Sequence, residues 1–190
     1  MSLIPAFEIG AGNAWIFMSS FLLQMLAVLL LGKRVWAKSS LPSDFKRNRR
    51  ERINSLLGNG VWLLATLYSI FLPLRLGTAW FYTGLPVFLV GLAILSVATV
   101  NFATAPAEKP ATKGAYSFSR HPGYLSMLII YIGTGIASAS WLFLLLGIAN
   151  FFWIRTEAIA EERYCLARYN KDYREYMNKT PRWIGISKSG

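Results

Sequence analysis

Ala115-Tyr116-Ser117-Phe118-Ser119-Arg120-His121-Pro122-Gly123-Tyr124-Leu125, continued by the apolar run to Ile132, sets the chain's only histidine and an arginine immediately before a hydrophobic segment. Proline is tolerated in the first turn of a helix, where its missing N–H has no partner to lose. The stretch therefore predicts a helix start at a membrane face, with Arg120 and His121 at its mouth. Ser138, Ala139 and Ser140 suit a tight turn, so Pro122 to Ala137 and Trp141 to Ile154 are expected to form a helical hairpin. The first arm is short for a full crossing and implies tilt or local thinning. The second arm leads into a polar cluster, Arg155 to Glu162, that closes the same hairpin, and its helix is expected to run on through Asn178 until Pro181 stops it.

Working outward, the composition is too apolar for an ordinary soluble domain. Hydrophobic residues make up 54% and charged residues 15%, mean hydropathy is +0.39, and the apolar residues fall in blocks of membrane-spanning length. The predicted fold is an all-α integral membrane protein of five transmembrane helices, with a C-terminal helical hairpin and a cytosolic cofactor pocket. It is read as one domain over 1–190: a three-span scaffold over 1–100, then a cofactor-binding loop, hairpin and cap over 101–190. The scaffold spans are expected over Asn13 to Leu31, Gly60 to Leu76 and Trp80 to Val100, with a polar connection from Asn101 to Ser119.

Charge gives the orientation. The segment Lys33 to Arg52 carries Lys33, Arg34, Lys38, Lys46, Arg47, Arg49, Arg50 and Arg52 against only Asp44 and Glu51. The positive-inside rule makes this loop cytoplasmic, with the N-terminus outside and the C-terminus and site inside. That asymmetry also accounts for the net charge of +11 without nucleic acid as a partner. A single cysteine, Cys165, and a single histidine exclude an intrachain disulfide and argue against a metal centre. The first apolar segment lacks a basic leader and reads as a retained span. Neither an internal repeat nor a glycine-rich nucleotide signature is present.

In the last helix, Arg155, Glu162, Leu166, Tyr169, Tyr173 and Tyr176 follow helical spacing along one stripe, and Glu157 and Glu161 lie on a neighbouring one. The plain reading is a juxtamembrane helix with solvated charges and interfacial tyrosines. What weighs against it is the combination with Arg120, His121, Tyr116 and Tyr124 on the partner arm. Such a site can hold an adenine among apolar and aromatic side chains and pair an α-amino group with a carboxylate.

Gly114-Ala115-Tyr116, Arg120-His121-Pro122-Gly123-Tyr124, Glu161-Glu162 followed by Leu166, Tyr169, Tyr173 and Tyr176, and Pro181-Arg182-Trp183 together resemble the integral membrane methyltransferases typified by isoprenylcysteine carboxyl methyltransferase, with the phospholipid methyltransferases close by. The resemblance covers about the last 90 residues. It implies S-adenosylmethionine as methyl donor and a lipophilic or lipidated substrate entering from the bilayer. The cofactor contacts it implies are Asn101, Glu108, Lys109, Pro110, Ala111, Tyr116, His121, Pro122, Gly123, Tyr124, Glu161 and Glu162; Arg120, Arg155 and Glu157 are expected at the reacting centre.

Three departures stand out. The family commonly has histidine where this chain has Glu108, and glycine where it has Asn170, a residue that still tolerates a left-handed backbone. In the isoprenylcysteine enzymes an arginine that meets the substrate carboxylate lies four residues before the cofactor-binding glutamate, where this chain has Glu157. Either a local helix shift lets Arg155 take that role, or the substrate is not a prenylcysteine carboxylate. A carboxylate acceptor is ionised at neutral pH and needs only orientation, whereas an amine must lose a proton, a task that suits Glu157.

The expected activity is methyl transfer to a lipid-like or prenylated acceptor, as in O-methylation of an isoprenylcysteine. The alternatives are a phospholipid N-methyltransferase, a sterol-reductase-like enzyme using NADPH, and a non-catalytic protein whose basic loop binds anionic headgroups at about 1 kcal/mol per basic residue.

Overall fold

The computed structural model describes residues 7–32, 35, 45 and 47–185. Lys33, Arg34, Lys38, Asp44 and Lys46 of the basic segment lie outside the described residues. Among the described residues six helices follow in order: α1 (Trp15–Leu30), α2 (Arg49–Ser69), α3 (Ala79–Thr104), α4 (Ala115–Phe118), α5 (Pro122–Ala137) and α6 (Trp141–Lys179). Among the described residues there is no strand, only an isolated bridge between Asn13 and Pro73.

Local chemistry sets most of the boundaries. Pro122 opens α5 at its first position, and Ser140 caps α6 by accepting from Phe143 N at 3.2 Å. The hairpin therefore has the expected bounds, with Ala139 turning at φ 51°. The second helix differs from its expectation. It begins at Arg49 rather than Gly60 and ends at Ser69 rather than Leu76. The reason is a capping box: Asn48 Oδ1 accepts from Glu51 N at 2.8 Å, and Glu51 Oε2 accepts from Asn48 N at 3.0 Å. The last four residues of the basic segment are thus helical, and so are the first four of the expected polar connection, Asn101 to Thr104.

Two helices, α3 and α6, are long and apolar enough to cross a membrane, and α1 and α5 are apolar but shorter. Only 22% and 28% of the most apolar windows of α3 and α6 are buried within the protein. Large apolar side chains are exposed on both, including Leu89, Val90 and Val97 of α3 and Leu145 and Ile148 of α6, and so are Leu22, Leu26 and Leu29 of α1. An apolar belt of this extent needs a hydrocarbon surround.

Within that belt the most extensive packing is α3 on α5. Gly84 and Gly133 make it possible: a Cβ on either would run into the backbone of the facing helix, at Ala137 and at Phe88. Close backbone approach through small residues is how helices associate where lipid tails are as apolar as leucine. Phe17 of α1 stacks on Phe88 at 4.0 Å, and Tyr131 and Phe143 are almost fully buried beside them.

One end of the bundle is closed by chain crossings, with Ala14 N donating to Leu72 O at 2.8 Å and Arg75 N to Ala137 O at 2.9 Å. The opposite end gathers the C-terminus of α3, the starts of α2 and α5, and the polar continuation of α6. It is there that the charged residues of the hairpin meet.

Candidate functional site

Three backbone devices build this end. Asn101, in the last turn of α3, accepts from Ala115 N through its side chain at 2.9 Å. Gly114, at φ 64°, has its α-carbon so close to that amide that a side chain would collide with it, so the Gly-Ala-Tyr turn is pinned to α3. Tyr176 Oη donates to Tyr116 O at 2.7 Å, tying the same turn to α6. Asn170 bends α6 with φ 44° and ψ −110°, a break in the continuous helix expected through Asn178, at the position where the resembling family has glycine.

Beneath this lies a buried charge cluster centred on Glu162, whose side chain is 4% exposed. Its Oε1 accepts from Arg120 Nε at 3.0 Å and from Arg182 Nε at 2.9 Å, and its Oε2 from Arg182 Nη2 at 2.6 Å. His121 Nε2 lies 3.2 Å from the same Oε1, and Nδ1 faces Glu161 Oε2 at 3.6 Å. Arg120 Nη1 donates to the carbonyls of Met177 and Thr180, and Arg120 N to Pro181 O. The segment 180–183 is therefore strapped across the start of α5.

The charges shift accordingly. Burial works against a charged imidazole, but the hydrogen bonds from Glu161 and Glu162 outweigh it and hold His121 above its ordinary pKa. Burial also raises the Glu162 carboxyl, yet His121, Arg182 and Arg120 together bring it down to about 2. Burial first, then the neighbouring carboxylates, pushes the Cys165 thiol up to about 12, so it is no nucleophile at neutral pH. Tyr116, Tyr173 and Tyr176 are likewise raised and remain neutral hydroxyls.

Two cavities meet at this cluster. The polar one, about 330 Å³, lies between the connection and α6, and Pro110, Ala111, Tyr116, Glu157, Glu161, Tyr169 and Tyr173 line it. The apolar one, about 420 Å³, lies between α1, α2 and α3, lined by Phe21, Met25, Val28, Trp62, Leu95 and Met127. Phe102, Tyr116, Arg120, His121, Tyr124 and Glu161 belong to both and form their common wall. Gln24 Nε2 donates to Thr99 Oγ1 at 2.6 Å, within the otherwise apolar lining.

Of the residues singled out from sequence, Pro110, Ala111, Tyr116, Arg120, His121, Tyr124, Glu157 and Glu161 converge on the polar cavity. Gly123 lines the apolar one. Asn101 and Lys109 face a separate cleft on the far side of Pro110. Glu108 is exposed and lines none of the three, and Pro122 is buried as the first residue of α5. Glu162 sits behind the wall rather than on it.

Arg155 is exposed and reaches neither main cavity. No local shift of α6 brings it inward, since Asn170 is the only non-helical position inside that helix. Sequence reasoning missed Arg47, Phe102, Tyr164 and Arg168, which also line the polar cavity. Arg182 was visible only as part of the Pro-Arg-Trp motif, with nothing in the spacing to connect it to Glu162.

The polar cavity fits an adenosyl amino acid. Its tyrosines and Phe102 offer faces for a purine, and Glu161 offers a carboxylate for an ammonium. The sequence model of the phospholipid methyltransferase family matches residues 75–172, just over half of the chain, from the start of α3 to just past the bend in α6. Among curated proteins none matches the chain.

Proposed function

The chain belongs to the phospholipid methyltransferase family, and from that premise we propose that it is a multi-pass membrane enzyme transferring a methyl group from S-adenosylmethionine to a lipid-like or prenylated acceptor at the cytoplasmic face. The observation that carries the reading is the common wall between a polar cavity and an apolar one. A soluble cosubstrate and a lipid acceptor need separate compartments that touch at one point, and His121, Tyr124 and Glu161 mark that point.

S-adenosylmethionine, when bound, supplies a methyl group already activated by the sulfonium charge. What remains for the protein is to exclude water and align the acceptor with it. Glu161 is the residue for the α-amino group, since it faces both cavities and pairs with no arginine among the described residues. His121 sits between the Glu161 and Glu162 carboxylates, which raise its pKa against the opposing effect of burial and fix the ring on the common wall. Arg120 is a positioning residue: its donors go to Glu162 and to the carbonyls of Met177 and Thr180, which fixes the wall in place.

The orientation follows the same charges. Arg49, Arg50, Arg52, Lys109 and Lys113 lie at the site's end of the bundle and Arg75 at the other, the asymmetry expected of a cytoplasmic site.

Titration of purified protein with S-adenosylhomocysteine tests the reading. Saturable binding by the native chain, lost in His121→Ala and Glu161→Ala, is expected; absence of binding by the native chain contradicts it. Radiolabelled methyl transfer into prenylcysteines and phosphatidylethanolamines then identifies the acceptor.

A further inference from the structure

Glu161 gives the polar cavity a place for an ammonium, and the same wall carries three arginines, Arg47, Arg120 and Arg168. An amino acid is a zwitterion, so a site for its ammonium is incomplete until a cation stands within reach of its carboxylate. What each arginine already holds decides which of the three can serve.

Arg120 is committed, with its donors on Glu162 and on the carbonyls of Met177 and Thr180. Arg168 comes seven residues after Glu161 and is exposed. Its guanidinium lies along aromatic faces, 5.5 Å from the Tyr169 ring and 6.0 Å from the Tyr164 ring, and Nη1 donates to Tyr164 Oη at 2.7 Å.

Arg47 differs from both. It comes from the segment before α2, outside the stretch that matches the family. Its guanidinium meets Glu157, Nη2 to Oε2 at 2.8 Å and Nη1 to Oε1 at 3.3 Å. A guanidinium has five N–H donors, so these bonds leave most of them without a partner among the described residues. Neither side chain is sealed in, at 23% and 24% exposure. Glu157 lies four residues before Glu161, which sets the two carboxylates about one helical turn, roughly 5.4 Å, apart along α6. With a hydrogen bond at each end, an α-amino acid spans that gap.

The segment is docked without this pair. Glu51 binds Arg163 through two hydrogen bonds of 2.9 Å, and Phe45 meets the Tyr164 ring edge-on at 5.6 Å. These contacts flank Arg47 on both sides and fasten the same stretch to α6. A partly exposed ion pair between them adds little stability, but it holds the guanidinium ready, so a carboxylate that meets it spends little on ordering.

We propose that Arg47 takes the α-carboxylate of the cosubstrate on the donors that Glu157 leaves, while Glu161 takes the ammonium. A segment outside the family match thereby completes the cosubstrate site and selects a nucleoside that carries a whole amino acid over one that carries only the amine. The inference deepens the methyltransferase reading and rests on it for the identity of the nucleoside.

The test is calorimetric titration of the full chain in detergent with S-adenosylhomocysteine and with its decarboxylated form, which keeps the adenosine, the thioether and the amine. The native protein is expected to bind the first about tenfold or more tightly, the increment of a charged hydrogen bond. Arg47→Gln is expected to bring S-adenosylhomocysteine down to the affinity of the decarboxylated ligand, whose own binding stays native and so shows that the variant is folded. Arg168→Gln is expected to keep the native preference, and Glu161→Gln to weaken both ligands.

Equal binding of the two ligands by the native chain, parallel weakening of both in Arg47→Gln, or a preference that survives in Arg47→Gln overturns the proposal and leaves the methyltransferase reading standing. Failure of the native chain to bind either ligand removes that reading, and the proposal with it.

Discussion

Glu162 and Glu157 are carboxylates five residues apart on one helix, and their surroundings could hardly differ more. Glu162 is sealed in, held by two arginines and a histidine, and tied through Arg120 and Arg182 to the end of the chain. Glu157 is partly open, held by one arginine from a distant segment, on the wall of a cavity. A buried, fully satisfied charge is architecture, because removing any member leaves the others uncompensated in a medium that solvates them poorly. An open pair gives up little on exchanging its partner, which is what a group that meets a ligand must do.

The largest effect expected from this contrast is at Glu162. Glu162→Ala leaves Arg120 buried without its counter-charge and His121 with Glu161 alone, and should cost about 3–5 kcal/mol, read as a lower thermal unfolding temperature in detergent together with lost S-adenosylhomocysteine binding. Glu157→Gln should move stability by less than about 1 kcal/mol. Comparable destabilisation by the two would erase the distinction.

Next comes Glu161, between them in sequence and on the common wall. Glu161→Gln should weaken S-adenosylhomocysteine binding by about tenfold or more, the loss expected of a charged hydrogen bond, while unfolding stays near native. Calorimetric titration beside a melting curve separates the two readouts.

The pH dependence follows, with opposite signs for its two limbs. Glu162 has a folded pKa of about 2 against an ordinary 4.5, so its contribution is complete above 4.5 and lost as pH falls toward 2. His121 has a raised folded pKa, so its contribution is complete below its ordinary value of 6.5 and lost as pH rises through the folded value. The unfolding temperature should therefore decline as pH rises above 6.5, and His121→Gln should flatten that limb while leaving the acid one.

The smallest effect belongs to Arg155. Exposed and remote from both cavities, it should tolerate Arg155→Ala with methyl transfer within about twofold of native and stability within about 0.5 kcal/mol, as for other surface substitutions.

These contrasts also mark what could be read before any coordinates. The hairpin was legible because Pro122 and Ser140 are local signals that act within one turn; the bend at Asn170 was not, because helical spacing runs unbroken through it from Arg155 to Tyr176. The start of α2 was obscured: a dense run of arginines reads as a loop, and the Asn48–Glu51 capping box inside it outweighs that impression.

Arg155 and Glu162 share a helical stripe, yet only Glu162 is covered, because the segments that bury it, around Arg120 and Arg182, reach no further toward the membrane. Periodicity reports which residues share a face and is silent on what packs against that face. Arg47 was harder still. It is one of several arginines in its segment, and only the folded chain brings it 110 positions along to Glu157.

The central claim is that the cosubstrate and the lipid occupy different cavities that share a wall. Its most direct test is the dissociation constant for S-adenosylhomocysteine measured side by side in Ala111→Phe, which fills the polar cavity, and Val28→Trp, which fills the apolar one. Binding abolished in the first and native in the second is the predicted result; equal loss in both, or loss only in the second, would contradict it.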